Sequence, residues 1–315
     1  MPAEQLAELS DLFVVAAVLL YVFAMLAFAL ELAFGRARGN ASAAVKQPVA
    51  VAAGAGGEPS PEPPAEAAAA TPEPAWTRKV ALVALALGWL GWAANLAAVI
   101  TRGLAVDRWP WGNMYEFVVA ICFAAVSAFL GTHLRQNVRF LGPFVMLAAA
   151  LGLGFAVKVL YTTAGPVVPA LNSYWVAIHV SAAIVSSGLF VLAGVSGILY
   201  LVRGDGLSRL PSREDLERVA HQAIVISFPI WTFAVIAGAL WADRAWGRYW
   251  GWDPKEVWSF ITWVAYAAYL HARVTAGWRG RNATIVQLLA FACLLFNLIG
   301  VNIFISGLHS YADVG

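Results

Sequence analysis

Residues 246–273 read WGRYWGWDPKEVWSFITWVAYAAYLHAR, and the order of chemistry along them sets the fold. Four aromatics, Trp246, Tyr249, Trp250 and Trp252, run into Asp253-Pro254-Lys255-Glu256 and then into an apolar run long enough to be a membrane helix. Asp253 suits an N-cap, and Pro254 suits the first helical position, where the N–H it lacks would have no partner anyway. The aromatic segment is therefore expected to be held against a helix start. Indole and phenol faces stack on a planar ring, while Arg248 and Lys255 can meet carboxylates. Such a segment suits a large flat ligand with apolar and anionic parts.

Working outward, the remaining sequence is apolar. Of 315 residues, 61% are hydrophobic and only 12% charged, with a mean hydropathy of +0.73, which is unlike a soluble domain. The expected class is an all-α polytopic membrane helical bundle. Crossing the hydrocarbon takes about 20 apolar residues. On that measure there are about eight transmembrane helices, at 12–34, 79–100, 114–133, 139–161, 173–202, 220–241, 254–272 and 283–306. The net charge of +2 is spread without the basic density that nucleic acid requires. Cys122 and Cys293 fall inside apolar runs with no Cys-x-x-Cys, which argues against a thiol-disulfide enzyme or a c-type cytochrome and for buried structural residues.

Three segments are expected: an N-terminal transmembrane helix (1–39), a disordered Ala/Pro/Glu-rich cytoplasmic linker (40–77), and a seven-helix core (78–315) with an outer tryptophan-rich loop at 241–258. The N-terminal helix reads as retained rather than as a cleaved signal, since it starts acidic and is long enough to span. Orientation follows from Lys and Arg, which accumulate in cytoplasmic loops. Fourteen of the 20 lie after the first, third, fifth and seventh helices. The opposite side carries Arg102, Arg108, Arg244, Arg248 and Lys255, with Lys158 near it. The expected arrangement is a multi-pass protein of the cell membrane, with both termini and the tryptophan-rich loop on the outer side. Ser212 is expected to cap the sixth helix.

Five histidines remain, and depth separates them. His179 and His309 bracket the aromatic segment on the outer side. His271 lies fifteen residues past Glu256, roughly 22 Å inward at about 1.5 Å per residue, and His221 and His133 are at that same inner depth. Imidazole is an axial ligand of haem iron, so His179 and His309 are a candidate bis-His pair beside an aromatic platform suited to a porphyrin. A lone interfacial histidine more often bonds a carbonyl; two flanking this platform tip the balance toward ligation. Trp89, Trp92, Trp109, Trp111 and Trp175 are explained as interfacial belt residues. Glu116, inside the third helix, needs a partner that sequence does not name. Lys158 and Glu31 can snorkel.

The run 246–273, with NMYEF (113–117), VPALNSYWVAIHV (168–180) and GLHSY (307–311), resembles the CcsA/ResC family of cytochrome c biogenesis proteins over most of 80–311. The resemblance implies a cytochrome c synthetase (haem lyase) subunit that works with a ResB-type membrane partner. Together they export haem b and attach it to the Cys-x-x-Cys-His of apocytochrome c outside; thiol-reducing proteins are a further partner class. It implies His179 and His309 as outer iron ligands, with the haem edge on Trp246 to Trp258 and Tyr249 among the contacts. It implies His271 as an inner ligand whose mate comes from the partner; an intrachain pair with His221 is the alternative. Arg248 and Lys255 are candidate propionate contacts, and Asp253 and Glu256 are candidates for steering the haem or docking substrate. Trp246, Trp250, Trp252 and Asp253 join the two outer histidines as the expected catalytic set. Thioether formation is expected to be mostly positioning, with no acid or base obviously required. Competing readings are a haem-delivery protein of the CcmC or CcmF kind and a membrane dihaem electron-transfer cytochrome.

Overall fold

The computed structural model describes residues 1–35, 75–167, 173–203 and 210–309. The linker expected at 40–77 falls almost wholly outside them. The described residues form eight long helices: α1 (Ala3–Phe34), α2 (Ala75–Val106), α3 (Met114–Arg135), α4 (Gly142–Val159), α5 (Tyr174–Val202), α6 (Arg213–Trp246), α7 (Pro254–Thr275) and α8 (Arg281–Leu295). A π turn, Phe296–Gly300, and a last helical turn, Val301–Phe304, continue α8. No strand occurs among the described residues.

Seven of these segments are both long and apolar enough to cross a membrane: α1 to α6 and Arg281–Phe304. The eighth expected span, α7, has the length at 22 residues but not the apolarity. Lys255, Glu256, Ser259 and Thr262 occupy its first half, and much of this polarity faces other helices: Glu256 and Thr262 are buried.

Two apolar cores meet along α3. The first packs α1, α2 and α4 around Tyr21, Phe28, Phe129 and Met146, so α1 is an integral part of the bundle. The second packs α5 to α8 around Phe190, Trp231, Tyr266 and Leu294. Helix α5 is the most buried of the seven spans and carries a run of small residues where neighbours come close. At Gly188 a Cβ would fall 2.6 Å from the Ala124 backbone, so α3 and α5 can cross this closely only over glycine.

Helix ends follow local chemistry. Ser212 caps α6 as expected, its Oγ accepting the Asp215 N–H at 3.1 Å. Helix α6 outruns the expected 220–241 at both ends and stops only at Gly247, whose φ of +70° ends it in the left-handed conformation open to glycine. Trp246 is therefore the last residue of a helix rather than part of a loop.

Candidate functional site

The N-terminus of α5, the C-terminus of α6, the start of α7 and the π turn after α8 enclose an apolar cleft of about 1100 Å3, counting the space at its mouth. His179 and His309 both line it, although 130 positions separate them. Trp241 is the spacer between them: its ring stacks on His179 (centroids 6.1 Å, 12°) and meets His309 edge-on at 5.7 Å. Trp246 packs edge-on against both Trp241, at 4.8 Å, and His309, at 5.0 Å.

Each imidazole is fixed through Nδ1. That of His179 is 2.7 Å from the Ala234 carbonyl, and since a carbonyl can only accept, Nδ1 carries the proton and Nε2 the lone pair. The ring reaches that carbonyl because Gly238, one turn further along α6, has no Cβ; one there would lie 2.7 Å from His179 Cε1. His309 Nδ1 donates to Asp253 Oδ2 at 2.8 Å, which fixes the same tautomer. An Nδ1–H held by a carbonyl or carboxylate is the usual orienting bond of a metal-ligating histidine. Among the described residues no three His, Cys, Asp or Glu side chains form a group that could hold a metal ion.

Asp253 and Glu256 organise the aromatic segment. Asp253 caps α7, accepts the Leu308 N–H at 2.7 Å and holds His309. Burial raises its carboxyl, but the bonds from His309 and the Leu308 amide outweigh this and hold it below its ordinary value. Glu256 closes the capping box, with Oε2 accepting the N–H groups of Gly251 (2.8 Å) and Asp253 (3.1 Å). Those two amides flank Trp252, which has a φ of +59°, rare for an aromatic residue, and is 73% exposed.

Of the aromatics expected at the site, Trp246, Tyr249 and Trp250 line the cleft. Trp252 packs edge-on against Trp250 beyond it, and Trp258 is turned onto Phe296, 4.3 Å away. The guanidinium of Arg248 lies against Gly251. Lys255 lines the cleft with its Nζ donating to the Asn297 carbonyl at 2.7 Å. Sequence reasoning missed Trp241, Gly238, Asn297 and Asn302, and assigned Trp111 to the belt although it lines the cleft. Asparagines within an otherwise apolar helix were the signal available.

Glu116 acquires its partners in the fold. It is 2% exposed and lies between Arg102 (3.1 Å) and Arg108 (2.7 Å), also accepting the Gly112 amide at 2.9 Å. Asp11 of α1 meets Tyr115, Tyr161 and Arg102, so this network ties α1 to α3 and to the segment after α4, beside the cleft.

At the opposite end, His221 of α6 faces Tyr269, its Nδ1 3.3 Å from the hydroxyl. His271, two residues on, projects from roughly the opposite side of α7, at about 100° per residue. It is exposed, with Nδ1 3.4 Å from Thr275 Oγ1. The structure does not bring the two together. Nearby, Glu217 pairs with Arg273 and accepts the Gly280 amide, joining α6 to the turn before α8.

Residues 111–309 match the cytochrome c assembly protein family. Among curated relatives, the cytochrome c biogenesis protein CcsA of Gloeobacter violaceus is 30% identical, the match covering 70% of this chain and 86% of the relative. That of Guillardia theta is 31% identical (71% and 85%), and that of Synechococcus sp. strain CC9605 is 34% identical (69% and 84%). A multi-pass helical bundle with a histidine- and tryptophan-lined cleft at one end thus belongs to the CcsA family of cytochrome c biogenesis proteins.

Proposed function

We propose that this chain is the haem-presenting subunit of a cytochrome c synthetase. It takes haem b through the membrane with a ResB-type partner and holds it at the tryptophan end, on the outer side, for attachment to the Cys-x-x-Cys-His of apocytochrome c. The carrying observation is that His179 and His309 share one apolar cleft, each fixed through Nδ1 with its lone pair on Nε2. Haem is cargo here, and its vinyl groups supply the reacting carbons. The chain's residues bind and orient: the histidines hold iron, Trp246, Tyr249 and Trp250 cover the ring, and the apolar walls exclude water. Holding vinyls where the substrate thiols arrive raises their effective concentration.

The exposure of His271 favours an inner ligand set completed by the partner subunit. The six Lys and Arg expected at or near the tryptophan side, against fourteen at the other, favour an outward-facing cleft.

The test is the absorption spectrum of the purified protein with and without a co-expressed ResB-type partner, followed by haem staining of a denaturing gel after adding an apocytochrome. Bound b-type haem that becomes covalently attached is the expected result. Haem that stays bound, cycles between redox states and never transfers would replace this reading with an electron-transfer cytochrome. No haem would overturn both.

A further inference from the structure

We propose that the Glu256 carboxylate carries the proton in thioether formation, taking it from the attacking cysteine thiol and returning it to the vinyl group. The inference rests on the haem-presenting reading above and adds a chemical step to a site that otherwise only positions.

Glu256 is nine-tenths buried, with a relative exposure of 9%, and lines the same cleft as His179 and His309. Its two oxygens differ. Oε2 is occupied by the Gly251 and Asp253 amides, while Oε1 is buried with no hydrogen-bond partner among the described residues. Leaving such an acceptor unmet is costly, and more so if it is charged. The capping box needs only one oxygen, which glutamine would supply as well. A carboxylate whose second oxygen is buried at a cleft is explained by a donor that arrives with the ligand.

The surroundings narrow that donor's identity. A haem propionate is excluded as Glu256's partner, since it would bring a second negative charge to a buried carboxylate. Lys255, the next residue, is engaged with the Asn297 carbonyl, and Asp253 with His309. The π turn over Phe296–Gly300 lets Asn297 and Asn302, five residues apart, reach the cleft together, where a regular helix would separate them by about 140°. Among the described residues their Oδ1 atoms are also buried without partners, and Trp111 Nε1 is a buried donor without one. The cleft thus has an acceptor-rich polar side beside an apolar one, and of the two reactants the thiol is the one that brings an S–H.

The step balances. The S–H bond breaks as its proton passes to Glu256 Oε1. The C=C then opens: its π electrons take that proton from Oε1 at the terminal vinyl carbon, while the thiolate sulfur supplies the electron pair of the new C–S bond at the carbon next to the ring. No electrons are gained or lost overall, and Glu256 ends as it began.

The test uses the full complex and an apocytochrome peptide. Glu256→Gln keeps an oxygen for the Gly251 and Asp253 amides but presents a group that accepts no proton. Haem content and absorption spectrum should match the wild type, while the single-turnover attachment rate falls about 100-fold or more. A second readout involves no turnover: with mesohaem, whose ethyl groups cannot react, the wild type should bind the Cys peptide about tenfold more tightly than its Cys-to-Ala analogue, for the S–H bond to a carboxylate. Glu256→Gln should lose that preference. Equal attachment rates in two haem-loaded proteins, or a wild type without the preference, would overturn the role of Glu256 and leave the haem-presenting reading standing. A wild type that binds no haem would overturn both.

Discussion

Gly238→Ala is the most discriminating change the structure offers, because helix propensity and the cleft pull in opposite directions. On an exposed helix the substitution would stabilise by about 1 kcal/mol. Here the new Cβ would lie 2.7 Å from His179 Cε1 and 2.9 Å from Nδ1, whereas ordinary contact begins at 3.4 Å. The ring must retreat by 3.4 − 2.7, or about 0.7 Å. Retreat along the bond to Ala234 stretches it from 2.7 Å to about 3.4 Å, beyond the usual 3.2 Å limit of an N–H···O bond. An unmet buried N–H costs about 1–3 kcal/mol, so haem affinity should fall on the order of 5- to 150-fold. Gly131→Ala, on α3 with nothing within 4 Å of the added Cβ, is the control. Haem titration and thermal unfolding in detergent separate the effects: Gly238→Ala should lose haem, regain part of it with added imidazole, and unfold no earlier than Gly131→Ala by more than the clash accounts for. Unaltered haem affinity would refute the view that the Ala234 carbonyl sets the His179 ring.

Three further outcomes are expected. Glu116→Ala strands two guanidiniums beside the cleft and should cost about 3–5 kcal/mol, seen as an earlier thermal transition; an unchanged transition would mean the network is solvated and inert. Trp252→Gly relieves the positive φ, worth about 1 kcal/mol, so the protein should unfold no earlier while haem attachment falls; a less stable, fully active variant would contradict the assignment of the exposed indole to function. The carboxyl of Asp253 is held below its ordinary value, so its stabilising effect is present above the unfolded-state pKa, about pH 4, and is lost as pH falls through the lower folded value. Wild type minus Asp253→Asn should give a constant difference in unfolding from neutral pH to that point and a shrinking one below it; a difference that shrinks already near neutrality would show that another group is responsible.

The helices were legible because apolar runs of membrane length need no tertiary information, and the caps because Ser212 and Asp253 act on amides two or three residues away. That His179 and His309 would lie at the same end of the bundle was legible as shared depth, and both line one cleft. What was not legible depends on angle. Trp241 faces His179 only because α6 runs unbroken to Trp246, and an end placed at residue 241 hides that register. Asn302 reaches the cleft only through a π turn, and the partners of Glu116 come from α2 and the turn after it, whose approach no periodicity encodes. His221 and His271 share a depth, but His221 meets α7 at Tyr269, whereas His271 projects from the other side of that helix.

The aromatic segment is short of regular structure yet firmly fixed, and this bears on how tightly it can bind. Ordering a backbone residue costs about 1–2 kcal/mol, which a mobile loop would subtract from ligand affinity. Here that cost is met during folding. Gly247 ends α6, Glu256 takes the Gly251 and Asp253 amides, Arg248 folds over Gly251, and Asp253 joins the α7 start to Leu308 and His309. Asp253 and Glu256 thus tie the segment to α7 on one side and to the chain after α8 on the other. If this pre-organisation sets affinity, relaxing one tie should raise the haem dissociation rate more than it lowers the association rate. Stopped-flow haem transfer to apomyoglobin from wild type and Gly251→Ala, which displaces Arg248, measures the first rate directly. An unchanged dissociation rate would mean that the segment orders only when ligand arrives.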